Sequence, residues 1–182
     1  MKNILYIAFA FGALSIISCK DAAKKHEPEV VTVDNTEEKV KVYKLSDAQP
    51  EFKDQKVAEV FNAYLQVEAA LVNTDVKSTA EATKHLNKTL QDAEATNEAI
   101  AAAQAIDDAT TIEEQRTQFV IVTAQIEQMV EGALASGTIY KQYCPMAFNN
   151  TGAYWLSNSD QVLNPYFGDK MLKCGRVDAK IE

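Results

Sequence analysis

Val57-Ala58-Glu59-Val60-Phe61-Asn62-Ala63-Tyr64-Leu65-Gln66-Val67-Glu68-Ala69-Ala70-Leu71-Val72, closed by Asn73-Thr74-Asp75, decides the fold class. Val57, Val60, Phe61, Tyr64, Leu71 and Val72 recur at steps of three and four residues, which places them on one face of an α-helix. Asn73-Thr74-Asp75 ends that helix and offers a cap to the next. A second helical stretch carries Thr83, Leu86, Leu90, Ala93, Asn97 and Ile100 at near-heptad spacing, and its Ala-rich middle suits close packing. Asp107-Asp108-Ala109-Thr110-Thr111 is a break. Thr111-Ile112-Glu113-Glu114 then fits a capping box, in which the Thr hydroxyl and the Glu at N3 satisfy free backbone N–H groups in turn. The third long helix turns Ile112, Phe119, Thr123, Ile126, Val130 and Leu134 inward. It ends near Gly132–Gly137, where two Gly and a Ser lower helix propensity. The expectation is a mainly α domain, an antiparallel three- to four-helix bundle. The fourth helix arises if the second divides near Ala93–Asn97. Met129 at helical spacing reads as packing, and His85, one residue before Leu86, as flanking or surface.

Toward the N-terminus the chain begins Met1-Lys2-Asn3 and then runs apolar through Ile4–Ile17. That run is shorter than the roughly 20 residues a membrane-spanning helix needs, and it reads as a secretory signal peptide, residues 1–18. Its end, Ile16-Ile17-Ser18-Cys19, resembles the lipobox of bacterial lipoproteins. Cys19 is then the lipidated first residue of the mature chain. The expected location is the cell envelope, anchored to the membrane by the N-terminal lipid in a periplasmic or outer-membrane leaflet, where disulfides persist. Residues 19–50 read as a flexible tether: they are rich in charged residues and Val, contain Pro28 and Pro50, and lack a sustained apolar period. Within it Val40–Leu45 alternates as a short strand would, and His26 reads as a solvated residue. Residues 51–182 fit one domain by length. The formal charge of −8 becomes slightly more acidic once Lys2 is removed, which argues against nucleic acid as a partner.

The C-terminal segment gathers the soft and rare residues: Cys144, Cys174, Met146, Met171, the only Trp (Trp155) and four of the seven Tyr. Thr138–Tyr143 is β-prone, Pro145 stops it, Asn149-Asn150-Thr151-Gly152 is a turn, and Ala153–Ser157 returns, so a small C-terminal β-hairpin with loops is expected. Asn164–Gly168 reads as a turn folded back over the bundle end. In Cys144-Pro145-Met146 the two sulfurs point the same way if the backbone is extended, and Met171-x-x-Cys174 places both on one side of a helical turn. Two thiolates and two thioethers make a set suited to a soft ion such as Cu(I) or Ag(I), since polarizable donors suit a polarizable cation. The competing reading is a Cys144–Cys174 disulfide with Met146 and Met171 as core filler; unpaired inert thiols are the third. With only His26 and His85, no Ser-His-Asp or Cys-His pairing has support, no glycine-rich phosphate loop occurs, and the expectation is that the protein is not an enzyme. A glycan-binding surface built on Trp155 and the tyrosines is a weaker alternative, because such residues among Gly, Pro and apolar neighbours belong to cores more often.

Arg116-x-x-Phe119, Tyr143-Cys144-Pro145-Met146-Ala147, Gly152-Ala153-x-Trp155-Leu156-Ser157, Asn164-Pro165-Tyr166-Phe167-Gly168, Met171-Leu172 and Cys174-Gly175 together resemble an uncharacterised helical domain of bacterial lipoproteins. That domain is similar to one appended to periplasmic adaptor subunits of copper/silver efflux pumps. The resemblance spans about residues 55–178, with Thr123 standing where Ser is expected. It implies heavy-metal handling outside the cytoplasm, a heavy-metal efflux complex as partner, and Cys144, Met146, Met171 and Cys174 as ligands. The alternative is a disulfide-stapled helical interaction module of the envelope without metal.

Overall fold

The structure, a computed structural model, describes residues 30–33, 40–44 and 46–182. The expected signal peptide and Cys19 lie outside the described residues. Each helix begins where a short polar side chain meets free backbone N–H groups. Asp54 accepts from the Lys56 N–H at 2.8 Å and opens α1, Gln55–Val72. Asp75 accepts from Ser78 N–H at 2.9 Å and opens α2, Val76–Asp92. Thr96 accepts from Ala99 N–H at 3.1 Å and opens α3, Asn97–Asp108. Thr111 and Glu114 form the capping box of α4, Ile112–Val130.

The near-heptad run over Thr83–Ile100 is therefore two helices. Glu94, at φ 54°, turns the chain out of α2, and Thr96 starts α3. Asn97 becomes the first residue of α3 and is exposed, rather than inward. Leu134 is buried, but in a strand beyond the end of α4.

Contacts fix the helix directions. Asn87 and Lys84 of α2 meet Gln104 and Asp107 of α3 in reverse order. Thr96 at the start of α3 meets Gln125 late in α4, and Arg116 at the start of α4 meets Leu71 at the end of α1. The four helices therefore alternate in direction as a bundle. Its core is aliphatic around an aromatic column. Phe52, Phe61, Tyr64, Phe119, Tyr166 and Trp155 succeed one another at ring-centroid separations of 5.5, 6.1, 5.0, 6.1 and 6.0 Å, within the range of favourable aromatic pairing. Among the described residues no helix is long and apolar enough to cross a membrane.

Among the described residues, seven strands accompany the bundle. β1 (Val30–Val33) pairs antiparallel with β2 (Val40–Tyr43), which contains the expected Val40-Lys41-Val42-Tyr43 run. Asn73 fixes the end of β2 to the end of α1: its Oδ1 accepts from the Tyr43 N–H and its Nδ2 donates to the Tyr43 carbonyl, each at 2.8 Å. β3 (Glu51–Phe52) pairs with β4 (Leu134–Ser136). β5 (Ile139–Cys144) and β6 (Ala153–Ser157) form the expected hairpin. β7 (Arg176–Ile181) adds to the other edge of β5, so the sheet runs β6-β5-β7. This last strand was not expected, although Arg176-Val177-Asp178-Ala179-Lys180-Ile181 alternates polar and apolar residues as an edge strand does. Tyr64 joins the sheet to the bundle. Its hydroxyl meets Thr123 Oγ1 at 3.0 Å and accepts from the Leu156 N–H of β6 at 3.0 Å.

Candidate functional site

β5 ends at Cys144, opposite Ala153 of β6, with the thiol fully buried. Cys174 arrives from the far side of the loop 158–175, which Asn164 holds together. The Asn164 N–H donates to the Leu172 carbonyl at 2.8 Å, its Nδ2 donates to the Cys174 carbonyl at 2.6 Å, and its Oδ1 accepts from the Tyr166 N–H at 2.8 Å. Asn164 is itself fully buried, so these bonds are made away from competing water. The Cys174 N–H closes a turn on the Met171 carbonyl at 2.9 Å. Gly175 then lets the chain pass over the indole. A Cβ there would lie 2.9 Å from Trp155 Cη2 and 3.0 Å from the Tyr143 carbonyl oxygen, and its φ of +151° suits glycine.

The outcome is two free thiols with their Sγ atoms 3.4 Å apart. This is contact rather than a covalent bond, which would bring them to about 2.05 Å. Cys144 is buried and Cys174 is half-buried, so a reagent or ion reaches the pair from the Cys174 side. Burial first, then the hydrogen bond and charge of Cys144, push the Cys174 thiol above its ordinary range. Among the described residues no cluster of three or more His, Cys, Asp or Glu side chains forms. The pair therefore has no carboxylate or imidazole beside it and is a sulfur site alone.

The thioethers are placed differently from one another. The backbone is not extended through Pro145: Met146 sits at φ −91°, ψ −10°, in the αR region. Cys144 thus points into the core while Met146 is 44 % exposed. Met146 lines a groove that neither cysteine lines. Met171 is half-buried and begins the turn that ends at Cys174. Trp155 and Met129 pack into or against the core, and His85 is exposed.

Three residues that organise the region carried no role in the sequence reading. Asn164 and Gly175 stood in recognisable Asn-Pro and Cys-Gly pairs. Arg116 is buried, with Nε donating to the Pro165 carbonyl at 2.8 Å and Nη2 to the Leu71 carbonyl at 3.2 Å and Thr74 Oγ1 at 3.1 Å. It pins the C-terminal loop to the end of α1. Gly168 passes so close that a Cβ would lie 2.3 Å from Thr74 Oγ1.

Fold and site together define a mainly α domain whose C-terminal sheet and loop bring two thiols into contact. Residues 60–137 match the profile of a family described as a protein of unknown function (DUF3347), to which the chain is similar over that span. The matched span begins inside α1 and stops before β5, so it contains neither cysteine. No curated protein and no solved structure matches the chain.

Proposed function

We propose that this protein is lipid-anchored through Cys19 in the cell envelope and binds a soft cation, Cu(I) or Ag(I), between Cys144 and Cys174. It receives and releases the ion by ligand exchange, without catalysis, and serves a heavy-metal efflux complex. The observation that carries the reading is the contact of two free thiols, one buried and one reachable. Thiolates are the donors soft ions prefer. At metal–sulfur bonds of about 2.3 Å, two thiolates sharing one ion stand about 3.8 Å apart in tetrahedral geometry and farther apart when two-coordinate. Loading thus asks the pair to open slightly. Cys174 supplies that movement, because it ends a loop turn while Cys144 is locked in the sheet. Of the two thioethers, Met171, in the turn that carries Cys174, is the one proposed to complete the set, while Met146 faces a separate groove.

The contact distance also favours a second reading, a disulfide-stapled interaction module. Two thiols already in contact at 3.4 Å need to approach by only about 1.4 Å to bond when an oxidant takes their two electrons and protons.

One titration separates the two. The protein is mixed with Cu(I) under mild reductant, alkylated, and its thiols counted by intact mass. One Cu(I) protecting both Cys144 and Cys174 supports the soft-ion site, with Met171→Leu expected to lower affinity without unfolding the protein and Met146→Leu to leave it unchanged. Thiols that are bonded before reductant is added and gain no Cu(I) protection after it leave the staple as the function of the pair, and thiols free from the start that alkylate at the same rate with and without Cu(I) overturn both readings.

A further inference from the structure

A groove of about 520 Å³ lies between the first turns of α4, the turn at residues 146–150 and the loop at 166–170. Its walls are of two kinds. Met146 and Phe148 give an exposed apolar side, with the Phe148 ring edge-on to Tyr166 at 5.4 Å. Arg116, Lys170 and the exposed amides of Asn149 and Asn150 give a donor-rich side on which two cations outnumber the one carboxylate, Glu113.

Two features of this groove go beyond what packing requires. Arg116 as a whole residue is only 5 % exposed and forms no ion pair among the described residues. Its Nε and Nη2 are spent on three neutral oxygens, which leaves the Nη1 side for an acceptor from outside. A buried cation without a counter-ion is costly. Glu113 stands on the same wall, more than 4 Å away, and only partly offsets the burial.

The second feature is the backbone. Phe148, Asn149 and Asn150 hold φ of 50°, 56° and 68° in succession, all left-handed and none glycine. Such conformations cost free energy and persist where the surroundings over-determine them. Here the strained turn leaves a large ring and two amides facing solvent.

We propose that the groove binds an organic carboxylate with an apolar body. The carboxylate sits at Arg116 Nη1 and Lys170, within reach of the Asn149 and Asn150 amides, and the body lies on Phe148 and Met146. The assignment rests on charge complementarity and does not require the thiol pair to hold metal.

The test uses N-acetylphenylalanine, its uncharged primary amide, and inorganic phosphate as probes of the full-length protein. Binding is followed through the backbone amide NMR signals of residues 148–150. The acid is expected to bind about tenfold or more tightly than the amide, as a charge-assisted contact implies. Lys170→Gln and Phe148→Ala are each expected to weaken it severalfold with the fold intact. Arg116→Gln is expected to abolish binding. Because Arg116 also pins the loop, the exposed Lys170 and Phe148 variants decide the matter if that protein does not fold. Equal binding of acid and amide, no response to either, or indifference to Phe148→Ala overturns the proposal. Competition by phosphate that ignores Phe148 reassigns the groove to a simple inorganic anion and overturns it as well.

Discussion

Glu68 is a carboxyl group in the wrong solvent. It is fully buried on α1, and neither oxygen has a hydrogen-bond partner among the described residues. Burial drives its pKa well above the ordinary carboxylate range. The sign of the pH effect follows. In the unfolded chain the group ionises near pH 4.3, whereas in the fold it keeps its proton, so its own contribution to stability is greatest below that value. As pH rises above it, the unfolded state gains by releasing a proton, and stability declines by about 1.4 kcal/mol per pH unit until the folded pKa is reached. Glu68→Met is expected to remove that decline as pH rises above the unfolded value, measured by urea denaturation at a series of pH values. An unchanged slope would mean the carboxyl reaches a partner in solution. Its burial was legible in principle. Glu68 follows Tyr64 by four residues, so the spacing that turns Tyr64 inward turns Glu68 inward too. Hydrophobic periodicity passes over it because only apolar residues are counted. Cys174 yields a second pH prediction. Its thiol is held above its ordinary range by burial and by Cys144, and metal requires the thiolate. Below that raised pKa, apparent Cu(I) affinity is expected to rise about tenfold per pH unit for each proton released, read by competition with a Cu(I) chelator of known pH response.

At the scale of elements, the helices were readable because their punctuation is local. Asp75 and the Thr111/Glu114 box cap within three residues of themselves, and those signals survive any tertiary arrangement, whereas the equally local Thr96 cap was hidden inside a near-heptad run that continued across it. The loop 158–175 was not readable, since its order comes from Asn164 reaching Leu172 and Cys174 across a gap no periodicity encodes. The pairing of Cys144 with Cys174 depends on that loop, which is why composition brought the sulfurs to one segment but left their meeting open. Asn164→Ala removes the two side-chain bonds and strands the polar groups they satisfied. The expected cost is about 2 to 3 kcal/mol. In urea, alkylation of Cys174 in this variant should accelerate together with loss of the far-UV helical signal, both at lower denaturant than in the parent. Acceleration well before the helical signal changes would mean the loop opens independently of the bundle.

The whole molecule poses that question more sharply. The matched family span takes in most of the four helices and β4 but stops before β5, yet the C-terminal sheet and loop are tied to the helices at separate points. Tyr64 bridges Thr123 of α4 and Leu156 of β6. Arg116 bridges α1 and Pro165. The aromatic column runs from Phe52 through the bundle into Trp155 without a break. Such links make the helices and the C-terminal segment one cooperative unit rather than a bundle with a flap. Oxidising Cys144 and Cys174 tests this, because the bond would close a 30-residue separation. The loop-entropy relation assigns such a crosslink about 3 to 4 kcal/mol, all of it within the C-terminal segment. In one cooperative unit that stabilisation is shared, so helix melting followed by circular dichroism and Trp155 fluorescence should move to higher temperature together on oxidation. In a molecule with a separable flap, oxidation would shift the fluorescence transition and leave the helical one where it was. The fully buried Tyr64 hydroxyl, satisfied on both sides of the junction, favours the single transition: separating sheet from bundle would leave that group without its β6 partner and open the column at Tyr166.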